Sequence, residues 1–304
     1  IIMKFKNMYL ENTYDTSNIK KSNYYFFEDD DAKTIYKHFE IADFISLSNH
    51  ELLGHGSGKL LYEKDVSNGK VRDLLDPKKF VSTYYEECQD AASTFGGIYQ
   101  HFEESRADAS AVYLSFFDEV LDIYEINKDK NYRKSITLAV ILLVINLALK
   151  HLDNYSEELH KWKSAHIAAR FAIIKACIKW GDGCISFEKR GEGFKLIIDK
   201  SKFENIKEAI KTLLIQLNYY KSTNKAKEGI EFFNDLVSID EKFLEARKML
   251  LAKRSFVYPA VGAIVEVVDK ERGEYNLTSQ IKGEKATVLD ALYYSLKNIQ
   301  AANQ

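Results

Sequence analysis

The chain has only two prolines in 304 residues, Pro77 and Pro259. So few helix breakers leave room for long helices, and a mostly α-helical chain is expected. Its three cysteines, Cys88, Cys177 and Cys184, show neither metal-type pairing nor a disulfide framework. They read as free, buried thiols in a reducing, cytoplasmic compartment. Charge of one sign is also lacking: the formal net charge is −2, with lysines and acids interspersed. A nucleic-acid footprint needs a basic stripe or patch, so no such partner is expected. The longest apolar run, Ile136 to Leu149, is broken by Asn146 and is too short to span a bilayer. It reads as a fully buried helix, and no membrane partner is expected. There is no N-terminal signal pattern, internal repeat or low-complexity linker. The opening Ile-Ile-Met reads as that of a fragment or processed piece, and residues 1–304 as a single lobe.

What is present centres on Asn49-His50-Glu51-Leu52-Leu53-Gly54-His55-Gly56-Ser57-Gly58-Lys59. Neutral imidazole is a common zinc ligand, and a carboxylate beside the metal can take the proton of a bound water. The familiar zinc-protease motif places its histidines at i and i+4 on one helical face. Here they stand at i and i+5. On a regular helix that separation is roughly 140° round the axis, too far to share one ion. A single i→i+5 turn absorbs the extra residue, so a widened turn is expected between Glu51 and His55. Gly54 would make such a distortion cheaper because it lacks a Cβ.

Apolar periodicity supplies the surroundings. Residues 1–31 read as irregular, ending in the acidic run Glu28–Asp31, which either opens a helix or forms a solvated loop. Ile41, Phe44, Ile45 and Leu52 form a helical stripe within 32–59, and turn formers make 63–79 a loop. Helical stretches are expected at about 98–124, 134–152 and 156–180, the last ended by Gly181 and Gly183, and again at 201–221, 224–237 and 240–253. Cys184–Phe187 and Phe194–Ile198 flank Arg190-Gly191-Glu192-Gly193 as a small β-hairpin. Val257–Val268 reads as an edge strand or an extended segment, and Ala286–Ala301 as a closing amphipathic helix.

The complete run HELLGHGSGK resembles the zinc motif of the dipeptidyl peptidase III family, zinc aminopeptidases whose signature is this six-residue form. The flanks Phe27-Glu28-Asp29-Asp30-Asp31 and Ile35-Tyr36 continue the likeness. The family's second motif has the form E-E-C-R-A-E. Both Glu86-Glu87-Cys88-Gln89-Asp90 and Glu103-Glu104-Ser105-Arg106-Ala107-Asp108 fit at first glance. Only the second keeps the arginine and alanine, within matching flanks at Ser93-Thr94-Phe95 and Ala111-Val112-Tyr113-Leu114. The resemblance therefore implies His50, His55 and Glu104 as ligands of one Zn2+, with Glu87 a decoy. It implies a supporting place behind the ligand histidines for Asp108 and Glu103, whose bland reading is that of solvated helix charges. Ser105 replaces the family's cysteine and Asp108 its glutamate. One methylene shorter, Asp108 would reach its histidine through a water or after a small helix shift.

Trp162-Lys163-Ser164-Ala165-His166-Ile167-Ala168-Ala169-Arg170-Phe171 resembles the family's W-x-x-A-H-x-x-A-R-F stretch. His166 would then assist at the substrate carbonyl, with Arg170 on the same face of the cleft. Leu250-Leu251-Ala252-Lys253-Arg254-Ser255 resembles a basic cleft segment, with Lys253 retained and Ala252 replacing an arginine. His38, His101, His151 and His160 take a structural reading. The implied fold is the helical zinc-binding lobe of the family with a small β-hairpin. The implied activity is release of dipeptides from the N-terminus of short peptides: Glu51 deprotonates the zinc-bound water, and His166 supports the tetrahedral intermediate. The family's second lobe, which holds the peptide strand, would be encoded upstream. The competing readings are a catalytically weak or inactive zinc-binding interaction domain, and a zinc hydrolase acting on another acyl substrate.

Overall fold

The computed structural model describes residues 24–253, apart from 68 and 70, together with strands at 263–269 and 274–279. The chain divides into two compact units, Ile1–Ala252 and Lys253–Gln304.

In the first unit, α1 (Asp29–Ser48) begins with Asp29, Asp30 and Asp31 in its first turn, where carboxylates meet the positive end of the helix dipole. It runs directly into a π-helical turn, Asn49–Gly54. A one-turn helix, α2 (Glu63–Val66), interrupts the expected loop, because the Asp65 carboxylate accepts from the Tyr62 N–H and closes the turn. Then follow α3 (Ala91–Phe95), a 3-10 turn (Gly96–Ile98), α4 (Tyr99–Leu114), α5 (Asp118–Ile123) and α6 (Lys130–Lys150). The stretch expected to be helical from 98 to 124 is thus broken. Ser115 Oγ donates to the Val112 carbonyl, Phe117 is extended, and no glycine or proline marks the break.

Helix α6 is 21 residues long and by length and composition could cross a bilayer, but 78% of its most apolar window is buried inside the protein. It is a core helix, apolar on all sides through its middle. Burying each Leu or Ile there contributes ~1.5–3 kcal/mol relative to exposure.

The strands β1 (Tyr155–Ser156) and β2 (Lys161–Trp162) form a minute antiparallel ladder, so helix α7 starts at Ala165 (Ala165–Trp180) and not at Ser156. Ser164 caps it, accepting from the Ile167 N–H. The hairpin of β3 (Ile185–Arg190) and β4 (Gly193–Ile198) forms as expected, with Arg190 opposite Gly193. Phe187 stacks between Phe194 and Phe243, fastening the hairpin to the core. Helices α8 (Phe203–Ser222), α9 (Ala226–Leu236) and α10 (Glu241–Lys253) complete the unit.

Helix α4 lies against the π-helical turn, α7 and α8, while α1 packs along α6. In the second unit, β5 (Ala263–Asp269) and β6 (Glu274–Ser279) pair antiparallel. Residues 257–262, the helix expected at 286–301 and the Lys253 side chain lie outside the described residues. Cys177 and Cys184 are buried, but Cys88 is exposed, because it sits in a surface turn at φ 75°.

Candidate metal centre

The spacing of the two histidines dictates the turn that carries them. The His55 N–H donates to the His50 carbonyl at 2.9 Å, five residues back, and this one wide turn swings both imidazoles to the same side. The rings meet edge to face with centroids 4.7 Å apart. Gly54 is needed for a different reason from backbone freedom. A Cβ there would stand 2.8 Å from the Ala107 Cα, so glycine lets the turn lie directly on α4. Gly58, at φ +85°, turns the chain back under the Arg106 guanidinium. Arg106 is fully buried and ties the turn down: it donates to the Gly54 carbonyl at 2.6 Å and to Ser57 Oγ at 3.0 Å.

Glu104 approaches from α4. Its Oε2 lies 3.1 Å from His50 Nε2 and 3.6 Å from His55 Nε2. One donor atom from each of His50, His55 and Glu104 falls within 4.8 Å of the others. Four ligands arranged tetrahedrally at about 2.1 Å from zinc stand about 3.4 Å apart, close to the two measured separations. Glu104 Oε2 is buried and makes no properly aligned hydrogen bond despite these neighbours. Lone pairs converging without satisfying one another are what a cation site requires, and two nitrogens with one oxygen suit zinc.

Behind the donors, each imidazole is oriented by a carboxylate on its other nitrogen. Asp108 Oδ1 is 2.7 Å from His50 Nδ1, a direct contact in place of the expected water or helix shift. The turn's close seat on α4 at Gly54 brings the shorter side chain within reach. Glu103 Oε1 is 3.2 Å from His55 Nδ1. Glu103 is far from a solvated helix charge: it also accepts from Arg106 Nε at 3.1 Å, Arg106 Nη2 at 2.5 Å and Lys221 Nζ at 2.7 Å.

These contacts shift the acidity of the groups they join. Burial alone would lower the pKa of His50, but the hydrogen bond to Asp108 and the nearby Glu104 carboxylate outweigh it and lift it to about 10. The hydrogen bond to Glu103 and the nearby Glu104 carboxylate raise His55 to about 9 against a smaller burial penalty. Burial would raise Glu103, yet His55 and Arg106 pull it down to about 2. Burial works likewise against ionised Glu104, and His166, His50 and His55 together hold it far below the usual carboxylate range.

His166, in the first turn of α7, brings Nδ1 to 3.1 Å from Glu104 Oε2, while its side chain remains 56% exposed and open to a ligand. Arg170, one turn on, sets Nε 3.6 Å from Asp108 Oδ2, and neither atom has a hydrogen-bond partner. Glu51 follows His50 on the widened turn, half-buried, with no ion pair or hydrogen bond among the described residues. Glu87 lies exposed in a surface turn, apart from the ligand cluster. His38 bonds Ser135 Oγ, and His101 the Trp162 carbonyl. Sequence reasoning missed Lys221, which lies outside every motif, and gave Arg106 no role.

A family model described as Peptidase family M49 matches residues 2–271. Dipeptidyl peptidase 3 of Nematostella vectensis is 27% identical over 266 residues, covering 83% of this chain and 35% of that protein. The human dipeptidyl peptidase 3 is 26% identical, covering 82% and 36%. The chain thus spans little more than a third of the length of these relatives. The solved structure of DPP III from Caldithrix abyssi shares the fold, with a TM-score of 0.50, 15% identity, and 79% of this chain and 37% of that chain covered. From the extent of the family match, this chain belongs to peptidase family M49.

Proposed function

We propose that this chain is the zinc-bearing lobe of a peptidase that releases dipeptides from the N-terminus of short peptides. The observation that carries the reading is the convergence of His50 Nε2 and His55 Nε2 on Glu104 Oε2, with a supporting carboxylate behind each imidazole. His50, His55 and Glu104 would hold the zinc ion, which would supply a Lewis acid able to lower the pKa of water and polarise a carbonyl. Glu51, beside His50 and without a competing partner, accepts the water proton and passes it to the leaving amine. His166 faces the same cluster from α7, and its exposed ring donates to the carbonyl oxygen as charge develops there. Arg170 orders the cleft beside Asp108. The relatives named dipeptidyl peptidase 3 support the peptide substrate and the dipeptide product. Their greater length supports a second lobe, encoded elsewhere in the native protein, that measures the peptide. Free thiols among the described residues fit a cytoplasmic setting.

The test is cleavage of a dipeptidyl-naphthylamide by the zinc-loaded protein. Glu51→Gln is expected to abolish release, by roughly the 10²–10⁴-fold worth of general base catalysis or more, while zinc stays bound. Activity surviving that change contradicts the mechanism. A second reading, a zinc-binding domain with little or no turnover, is favoured by the open Asp108 Oδ2–Arg170 Nε pair. One zinc without release by the full-length protein would select it.

A further inference from the structure

Lys221 lies in the last turn of α8 at 7% exposure, although a lysine at a helix end can ordinarily carry its ammonium to water. Its backbone is pinned: the Lys221 carbonyl accepts from the buried Tyr85 hydroxyl at 2.8 Å, and the next carbonyl, of Ser222, accepts from the Leu61 N–H at 2.9 Å. From this anchor Nζ reaches Glu103 Oε2 at 2.7 Å. Charge balance alone does not explain the contact, since Arg106 already forks onto the same carboxylate. The difference Lys221 makes is directional. Oε1 takes His55 Nδ1 and Arg106 Nη2, and Oε2 takes Arg106 Nε and Lys221 Nζ, so both oxygens carry two donors. A carboxylate has about four such sites, and with all of them used it has no lower-energy orientation to turn to.

We propose that Lys221 is a positioning residue of the metal centre, acting through Glu103 to hold the His55 imidazole with Nε2 toward Glu104. This rests on the zinc reading above and extends the site to α8, 118 positions along the chain from Glu103. One effect opposes it: an ammonium near a dication repels it. Positioning prevails if the loss of orientation outweighs the relief of that repulsion, and the sign of the change in zinc affinity decides between them.

The measurement is the zinc dissociation constant of the full chain by chelator competition. Lys221→Met, similar in length and apolar, is expected to weaken binding about tenfold or more, the usual effect of losing a supporting partner. In a Glu103→Gln background the same change is expected to add nothing, because its route to His55 has gone. In the metal-free protein, imidazole NMR is expected to show the His55 Nδ1–H exchanging faster. Unchanged or tighter zinc binding overturns the proposal, as does an equal loss in the Glu103→Gln background. If Lys221→Met fails to fold, Lys221→Ala, which also removes the donor, is measured against the same criteria. A wild-type chain that takes no zinc sinks the zinc reading as well; a wild type that binds it beside an indifferent Lys221 variant sinks only this inference.

Discussion

The two imidazoles of the centre are held in different ways. On the His55 side, Glu103 is saturated by His55, Arg106 and Lys221, donors from the widened turn, α4 and α8. On the His50 side, Asp108 makes one short contact of 2.7 Å, and its other oxygen is left 3.6 Å from Arg170 Nε with both atoms unpartnered. A single methylene separates the two arrangements. The difference teaches that orienting a ligand needs only one good hydrogen bond, whereas immobilising the group that orients it needs all its remaining lone pairs engaged.

Glu103→Gln breaks that comparison with the largest effect. It leaves two buried cations, Arg106 and Lys221, short of their shared anion, which costs about 3–5 kcal/mol of stability in denaturant unfolding. Asp108→Asn is expected to weaken zinc by a similar ~10–100-fold but to cost less stability, because Arg170 is already held loosely and is 24% exposed. Equal stability losses would show that the two sides do not differ in the way described.

Acidity sharpens the comparison. The His50 pKa is raised from 6.5 to about 10, so its contribution to the metal-free fold is complete below 6.5 and disappears as pH climbs through about 10. The Glu103 pKa is depressed from 4.5 to about 2, so its contribution is complete above 4.5 and is lost as pH falls toward about 2. Melting curves of the metal-free chain should therefore show the cluster's greatest contribution between 4.5 and 6.5. Zinc requires imidazoles without a proton on Nε2, so its uptake at neutral pH should expel protons, and calorimetry in buffers of different ionisation enthalpy reads this directly. Uptake without proton release would contradict the protonation state assigned to His50.

The smallest effect is also the most specific. Asp108→Glu adds the missing methylene and should bring an oxygen into hydrogen-bond reach of Arg170, tightening zinc a few-fold in the same competition assay. Weaker binding would mean that α4 and the widened turn sit too close for the longer side chain.

Much of this was legible from spacing. Histidines at i and i+5 cannot share an ion on a regular helix, which calls for a widened turn between Glu51 and His55, and the structure has one at Asn49–Gly54. Glu104 and Asp108 at i and i+4 shared a helical face for the same geometric reason. The hairpin was legible from its glycines, and α6 from its long apolar run. What escaped depends on tertiary packing. Lys221 looks like any lysine near a helix end until α8 is placed against α4. The break after Leu114 is made by a serine side chain bonding back to Val112, which periodicity does not register. In the sequence Gly54 stands out for its backbone freedom, but the structure uses its lack of volume against Ala107.

Three donors on two elements, His50, His55 and Glu104, are proposed to hold one zinc ion. Metal analysis of the purified chain beside its Glu104→Gln variant tests it most directly. One zinc per wild-type chain is expected, and none retained by the variant after dialysis, with the fold intact by circular dichroism. Equal zinc in both proteins, or none in the wild type, would contradict it.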